Sequence, residues 1–261
     1  MRRALLSVVC VLVAGCGEDP VPEDVPPPGS GVEMRRFAIE SEAVGRRLVG
    51  RVLVSGGRPR KGPLLVLLHG QGVSPETMIT DTLRVALEEV RDAPVVLLPE
   101  GGEASYWHDR RSGDWGRMVV DEAIPAAIER FQLDPSRVAI AGFSMGGFGA
   151  LHLAAEHPGR FCSVAAHSPA VFSTRPRRAS PFGEAFDDDA DFARADPIAD
   201  ARDVPAGTWV DIGNGDPFAP AVRELVARMR SPRFRMWGGG HDFTFFEERT
   251  REWLRFHDER C

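Results

Sequence analysis

Five short, mostly apolar runs recur between Pro63 and Gly215: PLLVLLHG (63–70), APVVLLPE (93–100), RVAIAGFS (137–144), FCSVAAHS (161–168) and TWVDIGNG (208–215). A strand with one wet face alternates apolar and polar residues. A run with little alternation is buried on both faces, as in a parallel sheet covered by helices. The stretches between the runs have helical periodicity, starting near Thr82, Val119, Met145 and Ala221, with a last one from Phe246. RRLVGRVLVS (46–55) alternates and reads as an outer strand, and FRMWGGG (234–240) as a weaker one. Strands alternating with helices predict an α/β domain with a mostly parallel central sheet and helices on both faces. In that architecture chemistry sits at the carboxyl edge of the strands.

One run ends in AGFSMGGFGA (141–150), which crowds four glycines around Ser144 where a strand gives way to a helix. Such a strand–turn–helix elbow lifts a hydroxyl out of the sheet, and Gly142 and Gly146 fit positions where a Cβ would collide with the backbone. Gly147 and Gly149 are expected to let the helix pack closely on the strands. A serine hydroxyl needs a base to take its proton and a carboxylate to orient that base. Asp216, in the loop beyond the TWVDIGNG strand, is preferred as the acid over Asp211, which lies inside the strand. His241, on the glycine-rich loop GGGHDF (238–243), reaches the same edge and is the expected base. The backbone N–H groups of Met145, after the nucleophile, and Gln71, after the LLHG strand end, are the expected oxyanion donors. His167 also ends a strand at this edge, where it either lines the pocket or is a satisfied structural histidine. His69 is expected to fix its own loop.

From about Pro63 to Leu254 the chain resembles the esterase D group of α/β-hydrolases, which includes antigen 85-type mycolyltransferases, S-formylglutathione hydrolases and feruloyl esterases. The resemblance rests on SYWHD followed by GDW, then DEAIP, GFSMGGFGA, HPGRF, GDPF and GGHDF, in order. It implies an α/β-hydrolase fold, a Ser144–His241–Asp216 triad, hydrolysis of acyl esters through an acyl-enzyme, and neither metal nor organic cofactor. Substrates of the group range from small thioesters to polysaccharide-linked acyl esters. Trp107, in the loop 103–115, is placed either to stack on such a substrate or to pack the loop onto the body. The charged stretch 176–192 sits where a cap would be inserted, and its shortness predicts minimal cover. Two other readings share these residues: a peptidase or polyester depolymerase on the same fold, separable by product analysis, and a non-catalytic surface-binding lipoprotein, for which all three triad residues have no chemical need.

The N-terminus adds a compartment. Residues 1–15 carry two arginines, an apolar stretch too short to span a bilayer, and then small residues, so they read as an export signal. VAGC (13–16) resembles a bacterial lipobox, which makes Cys16 the expected lipidation site and a lipid anchor the expected membrane contact, on an exported protein held at the bacterial cell envelope. Residues 16–33, acidic and proline-rich, are expected to form a tether, leaving 34–261 as one hydrolase domain. With 32 basic against 38 acidic residues and scattered arginines, no surface for nucleic acid is indicated. Cys162 begins a strand at the edge opposite the expected site, and the last helix runs back toward that edge to end near Cys261. These two cysteines are therefore either bridged or free.

Overall fold

The structure is a computed structural model that describes residues 31–56 and 61–261. The signal, Cys10, Cys16 and the tether up to residue 30 lie outside the described residues. Strands β1 (Val32–Ser41) and β2 (Arg46–Ser55) form an antiparallel pair, followed by β3 (Leu64–Leu68), helix α1 (Asp81–Glu89) and β4 (Val95–Leu98). A two-residue hairpin, β5 (Asp109–Arg110) and β6 (Gly113–Asp114), precedes a helical stretch: α2 (Trp115–Arg117), a wider π turn (Met118–Ala123) and α3 (Ile124–Phe131). β7 (Val138–Phe143), α4 (Met145–Glu156), β8 (Ser163–His167), α5 (Asp189–Ala195), β9 (Trp209–Gly213), α6 (Ala219–Arg228), β10 (Arg233–Trp237), α7 (Phe243–Glu247) and α8 (Thr250–Asp258) complete the chain.

The eight-stranded sheet runs in the order β1-β2-β4-β3-β7-β8-β9-β10, with β4 to β10 parallel and β1 and β2 antiparallel at one edge. Chain order reverses between β3 and β7, so their carboxyl ends flank a crevice where ligands bind in open α/β sheets. The solid apolar run of β3 is explained by its two faces. Leu64, Val66 and Leu68 join the core under α3, α4 and α6, whereas Leu65 and Leu67 join the core under α1 and α8. This is the α/β-hydrolase fold.

Three features depart from the sequence expectations. β1 begins at Val32, whose Cα pairs with Ser55, so two residues assigned to the tether belong to the sheet. The exposed Arg35 and Arg36 mask the strand in the sequence, because an edge strand needs little apolar material. The final helix is broken into α7 and α8. The acidic run near Asp189 folds as α5, with the Asp188 carboxylate accepting from the Asp191 amide as N-cap.

Cys162 and Cys261 form a disulfide that closes 99 residues of chain and ties the end of α8 to the start of β8. Beside it the Ser163 hydroxyl pairs with Nδ1 of buried His257 at 2.5 Å. Burial pushes that imidazole's pKa down to about 3, so it sits in the core uncharged.

Candidate active site

Ser144 joins β7 to α4 with φ 57° and ψ −116°, a left-handed conformation for a residue carrying a Cβ. Such strain costs about 1–3 kcal/mol and persists only where neighbours impose it. Here both backbone groups of Ser144 are held by the end of β8 and the segment that follows it. Its N–H donates to the His167 carbonyl, and its own carbonyl accepts from Ala170, each at 3.0 Å. The glycines make room: a Cβ on Gly146 would lie 2.0 Å from the Leu68 carbonyl oxygen, and one on Gly142 would lie 2.3 Å from the Gly146 backbone. Gly149 has a different role from the one expected. A Cβ there would meet Trp107, at 2.5 Å, rather than a strand.

The Ser144 hydroxyl lies 2.8 Å from His241 Nε2, and His241 Nδ1 lies 2.7 Å from Asp216 Oδ2. Asp216 is buried, and its other oxygen accepts from the Phe218 amide at 2.8 Å. The loops carrying acid and histidine are laced together. Asn214 N–H donates to the Trp237 carbonyl and Gly215 N–H to Gly239, at 2.8 and 2.9 Å. The approach is close enough that a Cβ on Gly213 would lie 2.4 Å from the Gly239 oxygen. The His241 ring stacks on Phe143, with centroids 5.2 Å apart, and meets Phe218 edge-on at 5.0 Å. These two phenylalanines fix the imidazole plane and went unread in the sequence, although each adjoins a motif residue.

Met145 is the first residue of α4, and its N–H is among those a helix leaves without an internal acceptor. Across the crevice Gly70 stands against Ser144, a Cβ built there lying 3.6 Å from the serine Cβ, and Gln71 follows. The Gln71 side chain is tied down elsewhere: it accepts from the Tyr106 hydroxyl and donates to the Pro181 carbonyl, both at 3.0 Å. His69 does fix its loop. Its Nε2 accepts from the Gly101 amide at 3.0 Å, which leaves the proton on Nδ1 facing the Gly70 carbonyl at 2.9 Å. Burial lowers its pKa and favours this neutral form.

Two expected substrate contacts are corrected. Trp107 is fully buried between Gly101 and Gly149 and donates its indole N–H to the His69 carbonyl at 3.2 Å, so it packs the loop onto α4. Tyr106 and Trp107 both adopt positive φ, 53° and 59°, which turns their rings into the core. His167 is also buried, its Nδ1 3.0 Å from Asp211 Oδ2, with Phe246 and Trp253 against its ring. It touches the site through its backbone carbonyl alone. Asp211 points into the core and also accepts from Trp209 Nε1 at 2.7 Å. Among the described residues no group of His, Cys, Asp and Glu side chains is arranged to hold a metal ion.

A family model described as "Putative esterase" matches residues 41–257. NocK of Nocardia uniformis subsp. tsuyamanensis, a putative esterase, is 35% identical over 197 residues, covering 63% of this chain and 55% of that protein. The S-formylglutathione hydrolase of Paracoccus denitrificans is 31% identical over 180 residues, 61% of this chain and 63% of its own. The chain thus spans less than two thirds of the length of either relative. Among solved structures, an S-formylglutathione hydrolase from Agrobacterium tumefaciens superposes with a TM-score of 0.76 at 22% identity, covering 90% of this chain and 97% of the other.

Proposed function

The chain belongs to the esterase family matched over residues 41–257, and from that premise we propose that it is a serine carboxylesterase working through Ser144, His241 and Asp216. The supporting observation is the unbroken hydrogen-bond line from the serine hydroxyl through imidazole to a buried carboxylate, at 2.8 and 2.7 Å. His241 Nε2 takes the hydroxyl proton as Ser144 Oγ attacks the ester carbonyl, and Asp216 stabilises the imidazolium that results. The amides of Met145 and Gln71 hold the tetrahedral oxyanion. Each such donor contributes on the order of 3 kcal/mol to transition-state stabilisation. The imidazolium returns its proton to the departing alcohol. A water, deprotonated in turn by His241, then releases the acid and regenerates Ser144.

Hydrolysis of p-nitrophenyl esters from acetate to octanoate, and of a ferulate ester, by the intact protein and by Ser144→Ala tests this reading. Turnover lost in the variant supports it, and well-folded protein without turnover on any ester overturns it. The reading extends to the N-terminus: residues 1–15 are an export signal, and Cys16 carries lipid that anchors the hydrolase domain to the cell envelope. The supporting feature is the VAGC sequence that closes the apolar run. Metabolic labelling with an alkyne-tagged fatty acid should mark the wild type and not Cys16→Ala, and equal labelling of both rejects the anchor.

A further inference from the structure

Residues 101–107 supply none of the groups assigned to the reaction, yet four hydrogen bonds fasten the loop 69–72 to them. The Gly101 amide donates to His69 Nε2 at 3.0 Å, and the Trp107 indole donates to the His69 carbonyl at 3.2 Å. At the other end of the loop the Gly72 amide donates to the Glu103 carbonyl at 2.9 Å. Between these points the Tyr106 hydroxyl donates to Gln71 Oε1 at 3.0 Å.

Gln71 stands between two glycines. The direction of its N–H depends on the rotation at Gly70, which glycine restricts less than any other residue does. On the other side Gly72 has φ 69°, and a Cβ built there would meet nothing within 4 Å among the described residues. The direction of the Gln71 amide is therefore left to the Gln71 side chain, whose Nε2 donates to the Pro181 carbonyl and whose Oε1 accepts from Tyr106. These two anchors differ. Pro181 is exposed, whereas the Tyr106 ring is fully buried against Phe148, Phe172 and Phe186, with centroids 5.3, 5.9 and 5.9 Å away. The left-handed backbone at Tyr106 and Trp107 turns the ring there, and Ser105 Oγ closes the turn by accepting from the Trp107 amide at 3.0 Å. Burial pushes the phenol's pKa up, so the hydroxyl keeps its proton and donates.

We infer that Tyr106 is a positioning residue for the oxyanion hole: its hydroxyl fixes the Gln71 side chain and, through it, the Gln71 N–H that receives the developing charge. The inference rests on the hydrolase reading above. A donor aimed in advance stabilises an oxyanion without reorganising during the reaction. Two consecutive left-handed residues fit this role, because backbone strain persists where the surroundings impose it and collects at functional sites.

Tyr106→Phe keeps the ring and removes only the hydroxyl. Losing an oxyanion donor outright costs about 10²–10³-fold in kcat, and loosening one should cost less, about tenfold, with KM for p-nitrophenyl acetate within about twofold of the wild type. An alkyl trifluoromethyl ketone, whose adduct with Ser144 carries the same oxyanion, should bind about tenfold more weakly. A merely structural tyrosine would alter urea unfolding and leave both kcat and this affinity unchanged in the folded protein. Gln71→Met removes the acceptor at a half-buried position and should reproduce both losses. Because Tyr106 acts through Gln71, the double variant should lose no more than Gln71→Met alone. Additive losses, or wild-type kcat and inhibitor affinity in Tyr106→Phe, overturn the inference and leave the esterase reading intact. If Tyr106→Phe does not fold, Gln71→Met decides: lower kcat at unchanged KM supports the inference, and wild-type kcat overturns it. Well-folded wild type that hydrolyses no ester overturns the esterase reading and this inference together.

Discussion

Two aspartate–histidine pairs stand at the same edge of this sheet, and their atoms are arranged almost alike. His241 Nδ1 meets Asp216 at 2.7 Å, and His167 Nδ1 meets Asp211 at 3.0 Å. The difference lies at the far nitrogen. His241 Nε2 faces the Ser144 hydroxyl and its side chain is 20% exposed, whereas His167 Nε2 has no hydrogen-bond partner among the described residues and its side chain is only 1% exposed. A carboxylate-bound imidazole is therefore not in itself a catalytic device. It becomes one when its second nitrogen reaches a nucleophile and a substrate can reach both; the same pair sealed under Phe246 and Trp253 is a polar strut in the core.

The largest expected effect follows from removing the open imidazole. His241→Ala should lower kcat on a p-nitrophenyl ester by about 10⁶-fold, comparable to losing the serine itself, while thermal unfolding changes little because the ring lies at a crevice. Next, Asp216→Asn should cost about 10⁴-fold in kcat through the wrong tautomer of His241, whereas Asp211→Asn should leave kcat within about tenfold. Equal losses in the two asparagine variants would erase the distinction between the pairs. The converse is read in stability. His167→Ala leaves the Asp211 carboxylate buried without its imidazole and should cost about 3–5 kcal/mol in urea unfolding, with kcat nearly unchanged where the variant is folded.

The open pair and the serine it serves were legible in the sequence because each residue lies just past a strand end, within a short motif that dictates the local backbone: GFSMG, GDPF and GGHDF. Whether His167 was open or sealed depended on strand parity. Ala165, two residues earlier in β8, faces the α1 and α8 core, and His167 shares that face, but its carboxylate partner lies 44 residues away. Trp107 was harder still. Its burial depends on the left-handed backbone at Tyr106 and Trp107, which neither periodicity nor residue preference encodes, and on a helix glycine that leaves a slot for the indole. β1 escaped because its outward arginines dilute the apolar pattern while its pairing with β2 is made by backbone.

The smallest effect is read by pH at a third histidine, sealed in the core beside the disulfide. His257 is buried with a pKa pushed down to about 3, and burial moves His69 and His108 in the same direction. For a group whose folded pKa lies below its unfolded value near 6.5, the unfolded chain binds the extra proton between those values. No penalty exists above pH 6.5, and stability falls as the pH drops from there toward about 3, by up to about 1.4 kcal/mol per pH unit for each such histidine. His257→Gln cannot take up that proton, so urea unfolding between pH 6.5 and 4 should show a shallower loss of stability than in the wild type, even if its stability at pH 7 is lower. Identical slopes would mean that His257 is protonated in the folded core. Burial beside the disulfide would then not keep this imidazole neutral, and the core position of a histidine would say nothing about its charge.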